Sequence, residues 1–113
     1  MLPKNKRISK DLFAELLKKG VVLHSPLFSF RVMKEGVREL HVSFVVSKKT
    51  AASAVDRNKM KRRGYSAVRN ILKTAPVKTP FVGAFFCKKG ALVSGFKELQ
   101  AEILSLFRKT GIL

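Results

Sequence analysis

Seven consecutive residues, Phe81-Val-Gly-Ala-Phe-Phe-Cys87, carry no charged side chain and no strongly polar one. The run has the length and the Phe content of a central strand buried on both faces, and Lys88-Lys89-Gly90 ends it. Cys87, the only cysteine, closes the run, so it can form neither an internal disulfide nor a cysteine-based zinc site and reads as core packing.

The elements around this strand follow from period and capping. Ser9 can cap a helix that ends at Gly20, with Asp11 in its first turn, Lys18 and Lys19 in its last, and Leu12, Phe13, Leu16 and Leu17 on its apolar face. From Leu27 to Met33 the chain alternates, placing Phe28, Phe30 and Val32 on one side and Ser29 and Arg31 on the other. Lys34-Glu35-Gly36-Val37 reads as a turn into a second alternating strand, with Leu40, Val42, Phe44 and Val46 opposite His41, Ser43, Val45 and Ser47. These two strands are expected to pair as a hairpin. Residues 54–73 lack proline, and Met60, Gly64, Ala67, Val68 and Ile71 fall on one helical stripe, opposite Asn58, Arg62, Arg69 and Lys73. Thr74 to Pro80 connects to the central strand. Ser94 can then cap a last helix with Phe96, Leu99, Ile103 and Phe107 as its apolar seam and Gly111 near its end. The order α-β-β-α-β-α implies an α+β fold, a two-layer sandwich of helices against a small sheet with one sheet face left open. At 113 residues the chain, 1–113, is expected to be a single domain.

Charge narrows the partner. Lys and Arg number 24 against 7 Asp and Glu, a formal +17, and such self-repulsion is most easily tolerated when a polyanion neutralises it. No apolar run approaches the roughly 18 residues that span a bilayer, and no apolar stretch follows the basic N-terminus as it would in a signal peptide, so the reading is no membrane partner and a cytoplasmic location. The charge concentrates between Arg57 and Lys73, where seven Lys or Arg occur and no acid. A solvated surface helix usually alternates cations with carboxylates at i,i+4, because like charges there repel. This helix omits that compensation, which suits phosphate contacts and a steep salt dependence. The preceding Ser47-Lys48-Lys49-Thr50 adds cations and hydroxyls at the helix start, where backbone N–H groups also favour anions.

Val46-Ser47-Lys48-Lys49, followed after a short loop by Ala54-Val55-Asp56-Arg57-Asn58-Lys59-Met60-Lys61-Arg62-Arg63, resembles the signature of the bacterial ribonuclease P protein component. In that signature a Ser-Lys-Lys strand end leads into an Arg-Asn-x-x-Lys-Arg helix. The opening Leu2-Pro3 with basic residues and Arg7-Ile8, the helix bearing Phe13, Gly20, Ser25-Pro26-Leu27-Phe28, and the Leu-Phe-Arg-Lys at 106–109 match in order, so the similarity covers nearly the whole chain. The resemblance implies a ribosomal protein S5 domain 2-like fold with a left-handed βαβ crossover, an exception to the usual right-handed rule. It implies that Lys48, Lys49, Arg57, Asn58, Lys61 and Arg62 meet a catalytic RNA subunit, a set to which the same helix adds Lys59 and Arg69. It further implies that the 5′ leader of precursor tRNA lies in a cleft between the first helix and the open sheet face. That cleft takes Phe13, Leu17, Ser29, Arg31, Ser43 and Val45. One protein per RNA is implied, with Mg²⁺ bound mainly through the RNA.

Two departures from the family pattern stand out. Arg31 occupies a position where many members carry an aromatic residue, so stacking there falls to a guanidinium. Arg63-Gly64-Tyr65 replaces an apolar pair followed by Arg, which predicts a kink or close approach at Gly64 and takes a cation from the RNA-facing side at Tyr65.

The chain offers little for chemistry of its own. A metal-dependent nuclease gathers carboxylates at the scissile phosphate, whereas Asp11/Glu15 and Glu98/Glu102 read as solvated helix pairs, Glu35 and Glu39 flank a turn, and Asp56 stands among cations. His24, read in a loop, and His41, on a strand, lack a recognisable acid–base partner. No catalytic residue and no metal ligand is assigned to this chain. The rival readings are a structural ribosomal RNA-binding protein and a DNA-binding module, the latter disfavoured because base-reading Asn and Gln are few on the basic helix.

Overall fold

The computed structural model describes residues 8–113. In chain order these form α1 (Lys10–Lys19), β1 (Val21–His24), β2 (Phe28–Met33), β3 (His41–Val45), α2 (Ala54–Thr74), β4 (Val82–Cys87), α3 (Lys89–Val93) and α4 (Phe96–Lys109). The fold is α+β, as the hydrophobic periods of the sequence imply. Leu2-Pro3 and the basic residues through Arg7, part of the family pattern, lie outside the described residues.

The strands form one sheet in the order β1-β2-β4-β3. β4 is central: it runs antiparallel to β2 and parallel to β3. This corrects the expected hairpin, because β2 and β3 are separated by β4 although a turn at 34–37 joins them. The reason lies in β4 itself, whose apolar faces leave it no stable place at a sheet edge. With β3 and β4 parallel and adjacent, α2 is the helix of a βαβ crossover. β1 is a further strand, paired antiparallel with β2 through Val21↔Val32 and His24↔Ser29. His24 therefore ends a strand and does not sit in a loop.

One sheet face carries the main core. Phe28, Phe30, Val32, Val42, Phe44 and Phe85 pack there against Met60, Ala67, Val68 and Ile71 of α2 and Leu99, Ile103, Leu106 and Phe107 of α4. The register sets Phe30, Phe85 and Phe44 side by side on neighbouring strands, and their rings stack at centroid distances of 4.2 and 4.9 Å. Each buried Phe contributes about 1.5–3 kcal/mol relative to exposure, so this row dominates the fit between sheet and helices. Gly64 is the predicted close approach: a Cβ there would lie 2.6 Å from the Phe44 ring, and α2 continues through it without interruption.

The C-terminal elements differ in detail from expectation. Gly95, not Ser94, is the N-cap of α4, and Ser94 instead closes the short α3 with its N–H donated to Gly90. The α4 seam holds at Leu99, Ile103 and Phe107, while Phe96 at its start is exposed. Gly111 adopts a left-handed φ of +75°, which lets Ile112 donate its N–H to the Phe107 carbonyl and bury its side chain.

On the opposite sheet face α1 packs through Leu16 onto Val82 and Ala84. Ser9 caps it by accepting the Leu12 N–H at 3.3 Å. That face is therefore only partly open.

Candidate nucleic-acid interface

α2 divides its residues as the stripe predicts. Met60, Gly64, Ala67, Val68 and Ile71 are buried, while Asn58, Lys59, Arg62, Arg69 and Lys73 are exposed. Among the described residues the salt bridge that forms is Lys19–Glu15 at 3.1 Å on α1, and no cation of α2 takes part in one. The basic face is thus uncompensated in space as well as in sequence.

Two guanidiniums of this helix are committed within the chain. Arg57 donates to the carbonyls of Ala51 and Ala52 at 2.9 and 2.8 Å, fixing the loop that leads into α2. Arg63 donates to the carbonyls of Ala91 and Ser94, the second at 2.5 Å, and so satisfies the otherwise open end of α3. Tyr65 corrects a further expectation: it does not replace a cation on an RNA-facing side but turns inward. Its ring meets Phe44 edge-on at 5.1 Å, and its hydroxyl accepts the Phe44 N–H on the outer edge of β3.

The turn before α2 is built to present its lysines. Thr50 donates its N–H to Ser47, the two hydroxyls lie 3.0 Å apart, and the Thr50 hydroxyl donates to the Cys87 carbonyl. Lys48 and Lys49 are exposed at the apex. Lys61 lies near Cys87, whose thiol burial pushes from 9.0 to about 12 against the opposing pull of that cation. Lys48, Lys49 and Lys61 thereby gather at the end of the sheet where β3 and β4 finish.

The sheet face under α1 holds the other predicted set, and the register resolves it into two rows. In one, Val22, Arg31, Ala84 and Ser43 are neighbours across the four strands; in the next, His24, Ser29, Phe86 and Val45. α1 is fastened over the first row. Ser43 accepts the Ile8 N–H at 3.0 Å, and Arg31 donates to the Leu17 carbonyl at 3.3 Å. The second row lies beside the helix, where Phe13 meets Phe86 at a centroid distance of 6.0 Å and Leu17 is exposed. All six residues assigned to the cleft by resemblance share this face, but they divide: Phe13, Leu17, Ser29 and Val45 border the open strip, whereas Arg31 and Ser43 hold α1 in place.

Sequence reasoning missed two neighbours in that strip. Phe86 is the one residue of β4 that is not fully buried, a difference hidden by the uniform apolar run. His24 faces Ser29 with Nδ1 and Oγ 3.0 Å apart. It also missed Glu102, read as a solvated acid, whose Oε2 accepts from the Ser25 hydroxyl and the Leu27 N–H, both at 2.8 Å. This carboxylate secures the turn from β1 into β2.

A concavity of about 1180 Å³ lies on the other side of α1, between that helix and the 34–39 turn. Glu15, Glu35 and Glu39 share its walls with Lys19, Lys34 and Arg38, so its charge is mixed and it is a poor seat for a polyanion. Among the described residues no group of three or more His, Cys, Asp or Glu could hold a metal ion, and no helix is long and apolar enough to cross a membrane.

An uncompensated cationic helix beside an aromatic strip on a small sheet defines a basic α+β protein shaped to hold a polyanion. The comparisons with known proteins specify it. The family model for ribonuclease P matches residues 2–111. The fold is similar to that of the Staphylococcus aureus RNase P protein, at TM-score 0.75 and 22% identity over 95% of this chain and 96% of that one. A mutant of the Staphylococcus aureus protein superposes at TM-score 0.78 and 22% identity, covering 97% and 92%. The Thermotoga maritima RNase P protein matches at TM-score 0.72 and 23% identity, covering 91% and 96%. The chain belongs to the ribonuclease P protein family. It is a protein subunit of the endoribonuclease that matures tRNA 5′ ends, an enzyme whose chemistry resides in its RNA. The ribosomal and DNA-binding readings are thereby set aside.

Proposed function

We propose that this chain joins the catalytic RNA through Lys48, Lys49, Asn58, Lys59, Lys61, Arg62 and Arg69, and holds the 5′ leader of precursor tRNA along the strip beside α1. Arg57 serves the same surface indirectly, by fixing the loop that carries the helix start. The observation that carries the reading is the absence of any carboxylate partner for the α2 cations among the described residues. Unpaired cations release counterions from RNA on contact. The strip supplies what a variable single strand needs, ring surfaces within a positive surround.

In this reading Mg²⁺ is held mainly through the RNA, and one protein joins one RNA in a complex acting in the cytoplasm. The protein lowers the repulsion between enzyme RNA and substrate, and this help is largest in dilute salt. The test is precursor-tRNA cleavage, with and without the protein, across salt and Mg²⁺ concentrations. Arg62→Ala and Arg69→Ala should each weaken assembly and flatten the slope of log affinity against log salt by about one. Unchanged assembly and slope in both variants would remove α2 from the RNA interface. Arg57→Ala is read with a thermal melt beside it, since loss of its two carbonyl contacts alters the loop as well.

A further inference from the structure

Phe86 packs against the cluster of Leu16, Val82 and Ala84 under α1 and yet stays half-buried. It interrupts the full burial of β4 on the side away from the main core, and the register places it between Ser29 and Val45, with His24 at the end of the same row. α1 has further anchors besides its Phe13–Phe86 contact: Leu16 on Val82 and Ala84, Ser43 on the Ile8 N–H, and Arg31 on the Leu17 carbonyl. Phe13 leans on Phe86 at an interplanar angle of 52°, too tilted for the two rings to cover one another face to face. A partly open ring thus lies in the floor of an apolar strip, and the row around it contains no acid. Next to the ring, His24 and Ser29 form a polar pair on the exposed side of the sheet.

We propose that Phe86 is the base-stacking platform of the strip and that the His24–Ser29 pair supplies hydrogen bonds to the nucleotide stacked on it. The ligand is one nucleotide of single-stranded RNA, its base over the Phe86 ring and its polar edge or 2′-hydroxyl toward the pair. This rests on the reading of the strip as the leader site. It also supplies the aromatic surface that Arg31 and Leu17 do not: Arg31 is engaged with α1, and Leu17 has no ring.

The test uses the complete protein assembled with its RNA subunit and two precursor tRNAs, one with a leader of several nucleotides and one trimmed to a single nucleotide. The quantity read is the ratio of their affinities, which cancels general losses of folding or assembly. Phe86→Leu keeps apolar bulk but removes the ring, and should lower the ratio roughly fivefold to a hundredfold. Phe86→Tyr should preserve it, and Ser29→Ala should lower it roughly twofold to tenfold. A 2-aminopurine scanned along the leader should be quenched at one position in the native protein and in Phe86→Tyr, but not in Phe86→Leu. If the native ratio favours the long leader while Phe86→Leu leaves it unaltered, the strip still binds the leader and Phe86 is merely packing. If the native protein shows no preference for the longer leader, the strip is not the leader site and the platform falls with it.

Discussion

Gly64→Ala sets two effects of opposite sign against each other. In a solvated helix the change would stabilise by about 1 kcal/mol, because Ala is the better helix former. Here the new methyl would lie 2.6 Å from two atoms of the Phe44 ring and 2.7 Å from a third, inside ordinary van der Waals contact. The ring has nowhere to retreat: Phe85 stacks against it at 4.9 Å, Tyr65 meets its edge at 5.1 Å and Phe28 lies at 6.2 Å. Overpacking a core typically costs about 1–3 kcal/mol, and a ring held on three sides belongs near the upper end. The net expectation is a loss of about 2 kcal/mol, read as a lower urea midpoint at unchanged slope. Combining Gly64→Ala with Phe44→Leu should recover at least about 1 kcal/mol of the sum of the single losses, since the second change makes room for the first. A gain of about 1 kcal/mol from Gly64→Ala alone would show that α2 does not press on Phe44 and would refute the reasoning.

Two further expectations follow from buried or anchored groups. Glu102→Ala strands the Leu27 N–H and the Ser25 hydroxyl, and should cost about 1–3 kcal/mol in chemical denaturation, with Glu102→Gln recovering part of it. An Ala variant as stable as the native protein would return this acid to the solvated class. Cys87, raised to about 12 by burial, should resist iodoacetamide at pH 8 in the native protein and react readily in urea. Because its folded pKa exceeds the unfolded value, its stabilising effect is complete below pH 9 and is lost as pH rises from about 9 towards 12. Native protein should therefore lose stability faster than Cys87→Ala across that window, and parallel curves would contradict the assignment.

What could be read from the sequence was whatever one element decides by itself. The alternation of Phe28, Phe30 and Val32, the stripe from Met60 to Ile71 and the apolar run ending at Cys87 each follow from local period, and each is observed. What could not be read depends on pairing between distant residues. Val21-Val22-Leu23-His24 has no alternation and becomes a strand only because β2 offers it an edge. Nothing in the 34–37 turn reveals that β4 inserts between the strands it connects. Within the site, the family resemblance and not local period assigned Phe13, Leu17, Ser29 and Val45 to one cleft, and the strand register sets Ser29 and Val45 in one row with Phe13 beside it. Neither resemblance nor period revealed that Arg31 and Ser43 act on α1, because a carbonyl or N–H partner leaves no mark in composition. Phe86 was invisible for the opposite reason: its neighbours in sequence are as apolar as it is.

The parallel pairing of β3 and β4 fixes how the two surfaces relate. Such a pair obliges the chain to leave the end of β3 and return to the start of β4, so α2 must begin at the end of the sheet where Val45 and Phe86 lie and run away from it. The strip therefore ends beside Ser47-Lys48-Lys49, the turn that leads from β3 into the helix. Arg57 and Arg69 are separated by roughly 18 Å along a helix rising 1.5 Å per residue. At physiological salt the screening length is about 8 Å, so Arg69 is screened from the Arg57 end of the helix, whereas Lys48 and Lys49 belong to the turn at that end. Under the proposed function the start of the helix would couple leader to enzyme RNA and its later turns would address the RNA alone, a division imposed by the crossover rather than by any change in residue type along the helix.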